Sequence, residues 1–191
     1  MGLNESERRR LLRFARETIG AHLRRETPPV LDASGGLDCR RGAFVTVRLD
    51  RTLRGCIGYL EADRLLGEVV AGCAISAATE DPRFAPLGPA EVARVDLEIS
   101  VLGPVEVVAD IEAIEVGRHG LIVAHGRRRG LLLPQVALEW TWDRHTFLAQ
   151  TCVKAGLALD AWQNGAEVFR FEAEVFGERE TTPGLPASPE R

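Results

Sequence analysis

Apolar residues recur every three or four positions between Asn4 and about Arg24, with Leu12, Ala15, Ile19 and Leu23 in line and arginines and glutamates around them. That period predicts an amphipathic helix. Asn4 or Ser6 is placed to cap its start, and Thr27-Pro28-Pro29 closes the segment. The period then drops to two. Ala43, Val45, Val47 and Leu49 alternate with Phe44, Thr46 and Arg48, which predicts a strand. Asp50-Arg51-Thr52 reads as a hairpin turn into a partner strand, Leu53 to Gly58. From Leu65 to Thr79 the helical period returns in a run rich in alanine and glycine, and such small residues suit close packing on a sheet.

A polar turn, Glu80 to Phe84, precedes the cleanest alternation in the chain. Val95, Leu97, Ile99 and Val101 are expected inward, with Asp96, Glu98 and Ser100 toward solvent. Asp110 to Val116 is a short helix candidate. Gly117-Arg118-His119-Gly120 reads as a turn before a strand, Leu121 to Ala124, and Arg127 to Gly130 as a basic hairpin tip before a buried strand, Leu131 to Leu133. Gln135 to Trp140 and Asp143 to Ala155 are helical, the second capped by Asp143 and ended by Gly156. A last strand runs from Ala166 to Phe176, with Phe169, Phe171, Ala173 and Val175 on one side. From Glu178 the proline-rich polar composition predicts a disordered tail. Helices and half-exposed strands interleave, so the expected class is α+β, with mixed or antiparallel sheets and flanking helices.

Composition narrows the function classes. At 191 residues the chain fits one domain or one domain with two lobes. A net charge of −4 with 6% aromatics disfavours a nucleic-acid partner. No apolar run is long enough to span a bilayer, the first ten residues lack the apolar core of a signal peptide, and four scattered cysteines suit a reduced, cytoplasmic setting. Cys39, Cys56, Cys73 and Cys152 form no C-x-x-C pair and have no histidine close by in sequence, which argues against a finger-type zinc site. No metal ligand set is expected.

Leu53-Arg54-Gly55-Cys56-Ile57-Gly58 holds a thiol between two glycines, directly after a cation. Two readings follow. Beside the Arg54 guanidinium, Cys56 is a thiol of lowered pKa; as a small hydrophobe at a strand end, it is packing. Cys73 falls on an apolar helix face and is core. His119 is the candidate general base for such a nucleophile, or a turn residue bonded to its local backbone. Arg54, Arg83 and the run Arg127 to Arg129 suit an anion, or simply a soluble edge. Gln135 and Glu139 stand one helical turn apart after Pro134, facing either a cleft or water.

Taken in order, these segments resemble a known family. Leu53 to Gly58, Asp81-Pro82-Arg83-Phe84 with Pro86-Leu87, Ile99 to Leu102, Gly117 to Leu121, Leu132 to Ala137 with Glu139 and Trp142, and Phe147-Leu148 before Cys152 to Leu157 are similar to AMMECR-type domains. The resemblance covers about Leu11 to Phe176. It implies one domain over residues 1–177, with two unequal lobes, the larger built from both chain ends. The Leu53–Gly58 motif is then expected in a cleft between the lobes, regarded as the active or binding site. In prokaryotes the family is grouped with a Memo-like protein and a radical S-adenosylmethionine protein in the AmmeMemoRadiSam system, which makes those two proteins the expected partners. It names no reaction and no cofactor. Residues and resemblance together make Cys56, His119 and Glu139 the candidate catalytic groups, and Arg54, Gly55, Gly58, Asp81, Arg83 and Gln135 the candidate binding residues. The two functional classes are an enzyme or enzyme subunit using Cys56, and a non-catalytic module that holds a small molecule, peptide or protein.

Overall fold

The computed structural model describes residues 2–179. The fold is α+β, with antiparallel strands flanked by helices. Among the described residues the chain forms two compact units, residues 2–102 with 174–179, and Gly103–Ala173.

In the first unit helix α1 (Glu5–Arg24) begins at a reciprocal cap. The Asn4 side chain accepts from Glu7 N–H at 3.0 Å, and Glu7 accepts from Asn4 N–H at 2.8 Å, which satisfies two otherwise orphaned donors. Strands β1 (Ala43–Leu49) and β2 (Thr52–Tyr59) form a hairpin over Asp50 and Arg51. Both turn residues have positive φ, 50° and 70°, the geometry whose twist matches paired strands. Helix α2 (Leu66–Thr79) lies against this hairpin, and β3 (Val95–Leu102) pairs with β1. The strand order is β2-β1-β3, followed by β7 (Glu167–Gly177), so β2 is an edge. The core gathers Leu11, Ile19, Val45, Val47, Val70 and Ile99, all within 1% of full burial.

The second unit pairs β5 (His119–His125) with β6 (Arg128–Leu132) on one side and with β7 on the other. A two-residue strand, β4 (Glu106–Val107), also pairs with β7. Helices α3 (Pro134–Glu139) and α4 (Arg144–Lys154) follow, and Asp143 caps α4 by accepting from Thr146 N–H at 2.7 Å. Leu121, Val123, Ala137, Phe147 and Leu148 are fully buried there.

Several expectations are corrected. Ser100 is buried rather than solvent-facing, at 2% exposure. Asp110 to Val116 holds only a 3-10 turn at Ile111–Ala113. His119 opens a strand instead of sitting in a turn, and Arg128 to Gly130 lie within β6, leaving Gly126 and Arg127 as the hairpin tip. Along β7, Val175 is exposed and Phe176 buried, so the alternation read from the sequence does not hold through its end. The tail predicted from Glu178 falls outside the described residues beyond 179, and Glu178 itself is held, accepting from Leu97 N–H at 2.9 Å and from Arg16 Nε at 2.7 Å.

Candidate functional site

Gly55 and Cys56 occupy opposite faces of β2. Gly55 is buried against α2, and a Cβ there would run into the Ala77 carbonyl. Only glycine allows this approach of strand to helix. Gly58, on the Cys56 face, lies opposite Phe44, whose ring fills the space a side chain would take. Both glycines therefore serve packing.

A bulge between Val47 and Arg48 sets Thr46 opposite Cys56, and β3 sets Glu98 opposite Thr46. Thiol, hydroxyl and carboxylate thus stand in one row across three strands. Thr46 Oγ1 and Cys56 Sγ are 3.3 Å apart. Being an edge residue, Cys56 has an outward N–H, which Asp81 Oδ2 accepts at 2.9 Å. Asp81 also receives Arg83 Nε at 3.0 Å and Arg83 Nη2 at 2.7 Å. Its side chain is 2% exposed, whereas that of Arg83 is 55% exposed and lies over the Phe84 ring. Hydrogen bonds from Arg83, outweighing burial, bring the Asp81 carboxyl down to about 2.

The lowered thiol pKa expected for Cys56 is not found. Arg54 turns away, donating to the Ala85 carbonyl at 2.8 Å and standing 3.7 Å from Glu91. Burial pushes the Cys56 thiol up, against smaller downward pulls from Thr46 and Arg83. Burial raises Cys39, Cys73 and Cys152 as well, Cys73 to about 11. Cys56 is thus a protonated thiol at neutral pH.

The structure brings Cys56, Asp81 and Arg83 together, with Arg54, Gly55 and Gly58 on the same strand segment. His119, Gln135 and Glu139 belong to the second unit. His119 is 5% exposed, and its Nδ1 accepts from Glu115 N–H at 2.9 Å. That bond leaves the proton on Nε2 and makes the imidazole a clasp for its own loop. Burial, with the nearby Arg170, lowers its pKa. Gln135 is half-buried, its Oε1 enclosed without a hydrogen-bond partner. Glu139 is exposed on α3. Among the described residues no group of three or more His, Cys, Asp or Glu is arranged to hold a metal ion, and no helix is long and apolar enough to cross a membrane.

Sequence reasoning missed Thr46, Glu98 and a hollow beside β2. An unbulged two-residue hairpin would pair Thr46 with Gly55. The bulge that shifts it to Cys56 leaves no sequence mark.

The AMMECR1 family model matches residues 12–176. The chain belongs to the AMMECR1 family. A protein of Methanothermobacter thermautotrophicus is 46% identical over 185 residues, covering 92% of this chain and 96% of that relative. A protein of Methanosarcina mazei is 43% identical, covering 93% and 94%. The crystal structure of an uncharacterized protein from Pyrococcus horikoshii superposes with a TM-score of 0.82 at 41% identity, covering 88% of this chain and 90% of that one. These AMMECR1 relatives carry no assigned reaction.

Proposed function

We propose that this AMMECR1-family chain is a non-catalytic binding module whose site lies along the outer edge of β2, beside the Leu53–Gly58 segment. The observations that carry this reading are the burial that disfavours the Cys56 thiolate and the engagement of Asp81, Arg83 and Arg54 in structural contacts. The thiol is protonated, Asp81 and Arg83 are spent on each other and on the strand edge, and Arg54 secures the 85–91 segment. A nucleophile needs an adjacent base or a stabilised thiolate; the carboxylates nearest Cys56, Glu98 and Asp81, add to burial in pushing the thiol up, and Asp81 is held by Arg83.

A second reading rests on the 3.3 Å Thr46–Cys56 contact and the opposing pull of Arg83. In it Cys56 is the nucleophile of an enzyme subunit, with His119 and Glu139 as acid–base groups, acting beside Memo-like and radical S-adenosylmethionine proteins.

Site-resolved alkylation of the four cysteines across pH, read by mass spectrometry on the folded protein, separates the two. The binding reading expects Cys56 to titrate above the free-thiol value of about 8.5 and to react no faster than an unperturbed thiol. Rapid alkylation with a midpoint below about 7 would overturn it in favour of the enzyme subunit.

A further inference from the structure

We propose that His119, in the second unit and apart from the β2 edge, is a proton-operated latch. Neutral, its imidazole holds the loop 115–118 closed; protonated, it lets that loop go. His119 is buried at the start of β5, and its Nδ1 accepts from Glu115 N–H at 2.9 Å. Nδ1 can accept only while it carries no proton. On protonation both ring nitrogens become donors, and Nδ1–H would meet Glu115 N–H head on. Turning the ring supplies no other acceptor, because imidazolium has none. The two groups must part.

The neighbouring bonds set how far the movement spreads. Before the loop, the chain is stitched by arginines, which keep their charge at any pH of interest. Arg170 Nη1 donates to the Ala113 carbonyl at 2.7 Å, and Arg144 Nε to the Ile114 carbonyl at 3.0 Å. Ile114 itself is fully buried. After the loop, β5 is paired with β7 from His119 onward. Between these anchors, Arg118 N–H and His119 N–H both reach the Glu115 carbonyl, at 3.2 and 3.0 Å. Gly117 turns through φ 88°, and a Cβ built there would lie 2.9 Å from Leu138, so the loop also rests on α3. The clasp that titrates is therefore flanked by bonds that do not, and its loss opens residues 115–118 while β5 stays in place.

The charged groups facing the ring pull both ways. From β7, Arg170 disfavours the imidazolium, and Glu172, the cross-strand partner of His119, favours it. From the loop itself, Arg118 disfavours it and Glu115 favours it. Arg118 bridges those two carboxylates, 2.9 Å from Glu115 and 3.0 Å from Glu172. From α4, Arg144 is paired with Glu112. Burial is the largest effect and, with Arg170, holds the folded-state value below the ordinary 6.5. The clasp is thus complete above about pH 6.5 and lost as pH falls through the lower, folded value. Below about pH 6.5 the ratio of open to clasped loop rises about tenfold per pH unit.

The test is an NMR titration of the full, isotope-labelled chain from pH 7.5 to 4.5, with hydrogen-exchange protection read at each amide. The expected result at pH 7.5 is a neutral His119 with its proton on Nε2 and a protected Glu115 amide. As the pH falls, His119 should charge with a midpoint below 6.5, and Glu115 and Gly117 amides should shift with the same midpoint. Protection at Glu115 should drop at least about tenfold while Leu121 to Val123 keep theirs. His119→Asn places an oxygen that does not titrate where the imidazole has Nδ1, and should hold the loop closed across the range. If that variant does not fold, the wild-type titration decides alone. Four outcomes overturn the proposal: the Nδ1–H tautomer at pH 7.5, a His119 still neutral at pH 4.5, a His119 that charges while Glu115 and Gly117 stay unchanged, or a loss of protection that takes Leu121 to Val123 with it. A folded His119→Asn that opens with the wild-type midpoint overturns it as well.

Discussion

Asp81 joins a strand edge to a surface arginine through one buried carboxylate. Its oxygens take Cys56 N–H and two guanidinium nitrogens of Arg83, and it is 4% exposed. Asp81→Asn keeps the shape and removes the charge, leaving Arg83 without its counter-ion. Because Arg83 is largely solvated, the expected loss is about 2 kcal/mol, below that of a fully buried pair. The pH dependence has a definite sign. A carboxyl held near 2 in the folded state titrates near 4 when unfolded, so its stabilisation is complete above about pH 4 and fades as pH falls toward 2. Urea unfolding of wild type and Asp81→Asn should differ by a constant amount from pH 5 to 7 and converge below pH 4. A gap undiminished at pH 2.5 would mean that the ionised carboxylate is not the source. At this scale the sequence was half legible. Cysteine between glycines marked a tight place, and the structure shows the tightness as the contacts of Gly55 with Ala77 and of Gly58 with Phe44.

Two of the chain reversals that hold non-glycine residues in left-handed backbone matter at the scale of the element. Arg51, in the β1–β2 turn, has φ 70°. Thr141 has φ 54° in the link from α3 to α4, where Thr141 N–H reaches the Leu138 carbonyl and Trp142 N–H the Ala137 carbonyl. That pair of bonds is a Schellman closure, which ordinarily ends on glycine, and a β-branched residue pays most for the conformation. Trp140 and Trp142 stack on either side of Thr141, with ring centres 6.0 Å apart. Arg51→Gly and Thr141→Gly should each stabilise the protein by about 1 kcal/mol, measured as a rise in urea midpoint at unchanged slope. Loss of stability at Thr141→Gly would show that the threonine side chain does more than tolerate the turn. Helices and central strands were readable because period and caps are local, as Asn4 and Asp143 show. The hairpin tip at Gly126-Arg127 was misplaced by two residues because the arginine run looks like a loop while Gly130 fits against the backbone of Ala155.

At the scale of the whole molecule, the question is how the first unit gathers residues from both ends of the chain. Glu174, near the end of β7, receives Leu3 N–H at 2.8 Å and Arg41 Nη1 at 2.8 Å, with Arg8 at 3.5 Å. Arg41 in turn donates to the Leu102 carbonyl at 2.7 Å. No sequence pattern announces the meetings at Glu174, because its partners lie more than a hundred residues away and only the completed strand order brings them together. Burial pushes the Glu174 carboxyl up, yet the hydrogen bonds from Arg41 and Leu3 N–H outweigh it and hold the group below its ordinary value. Its stabilisation is therefore present above the unfolded glutamate value of about 4.3 and lost as pH falls below it. Glu174→Gln should cost about 1–2 kcal/mol at pH 7, since both partners keep some exposure to water. Arg41→Met alone should cost a similar amount, and the double variant less than the sum, with a coupling of about 1 kcal/mol. Equilibrium urea unfolding of the four proteins measures that cycle. Additive losses would mean that Leu3 and Arg8, rather than Arg41, give Glu174 its hold on the two ends.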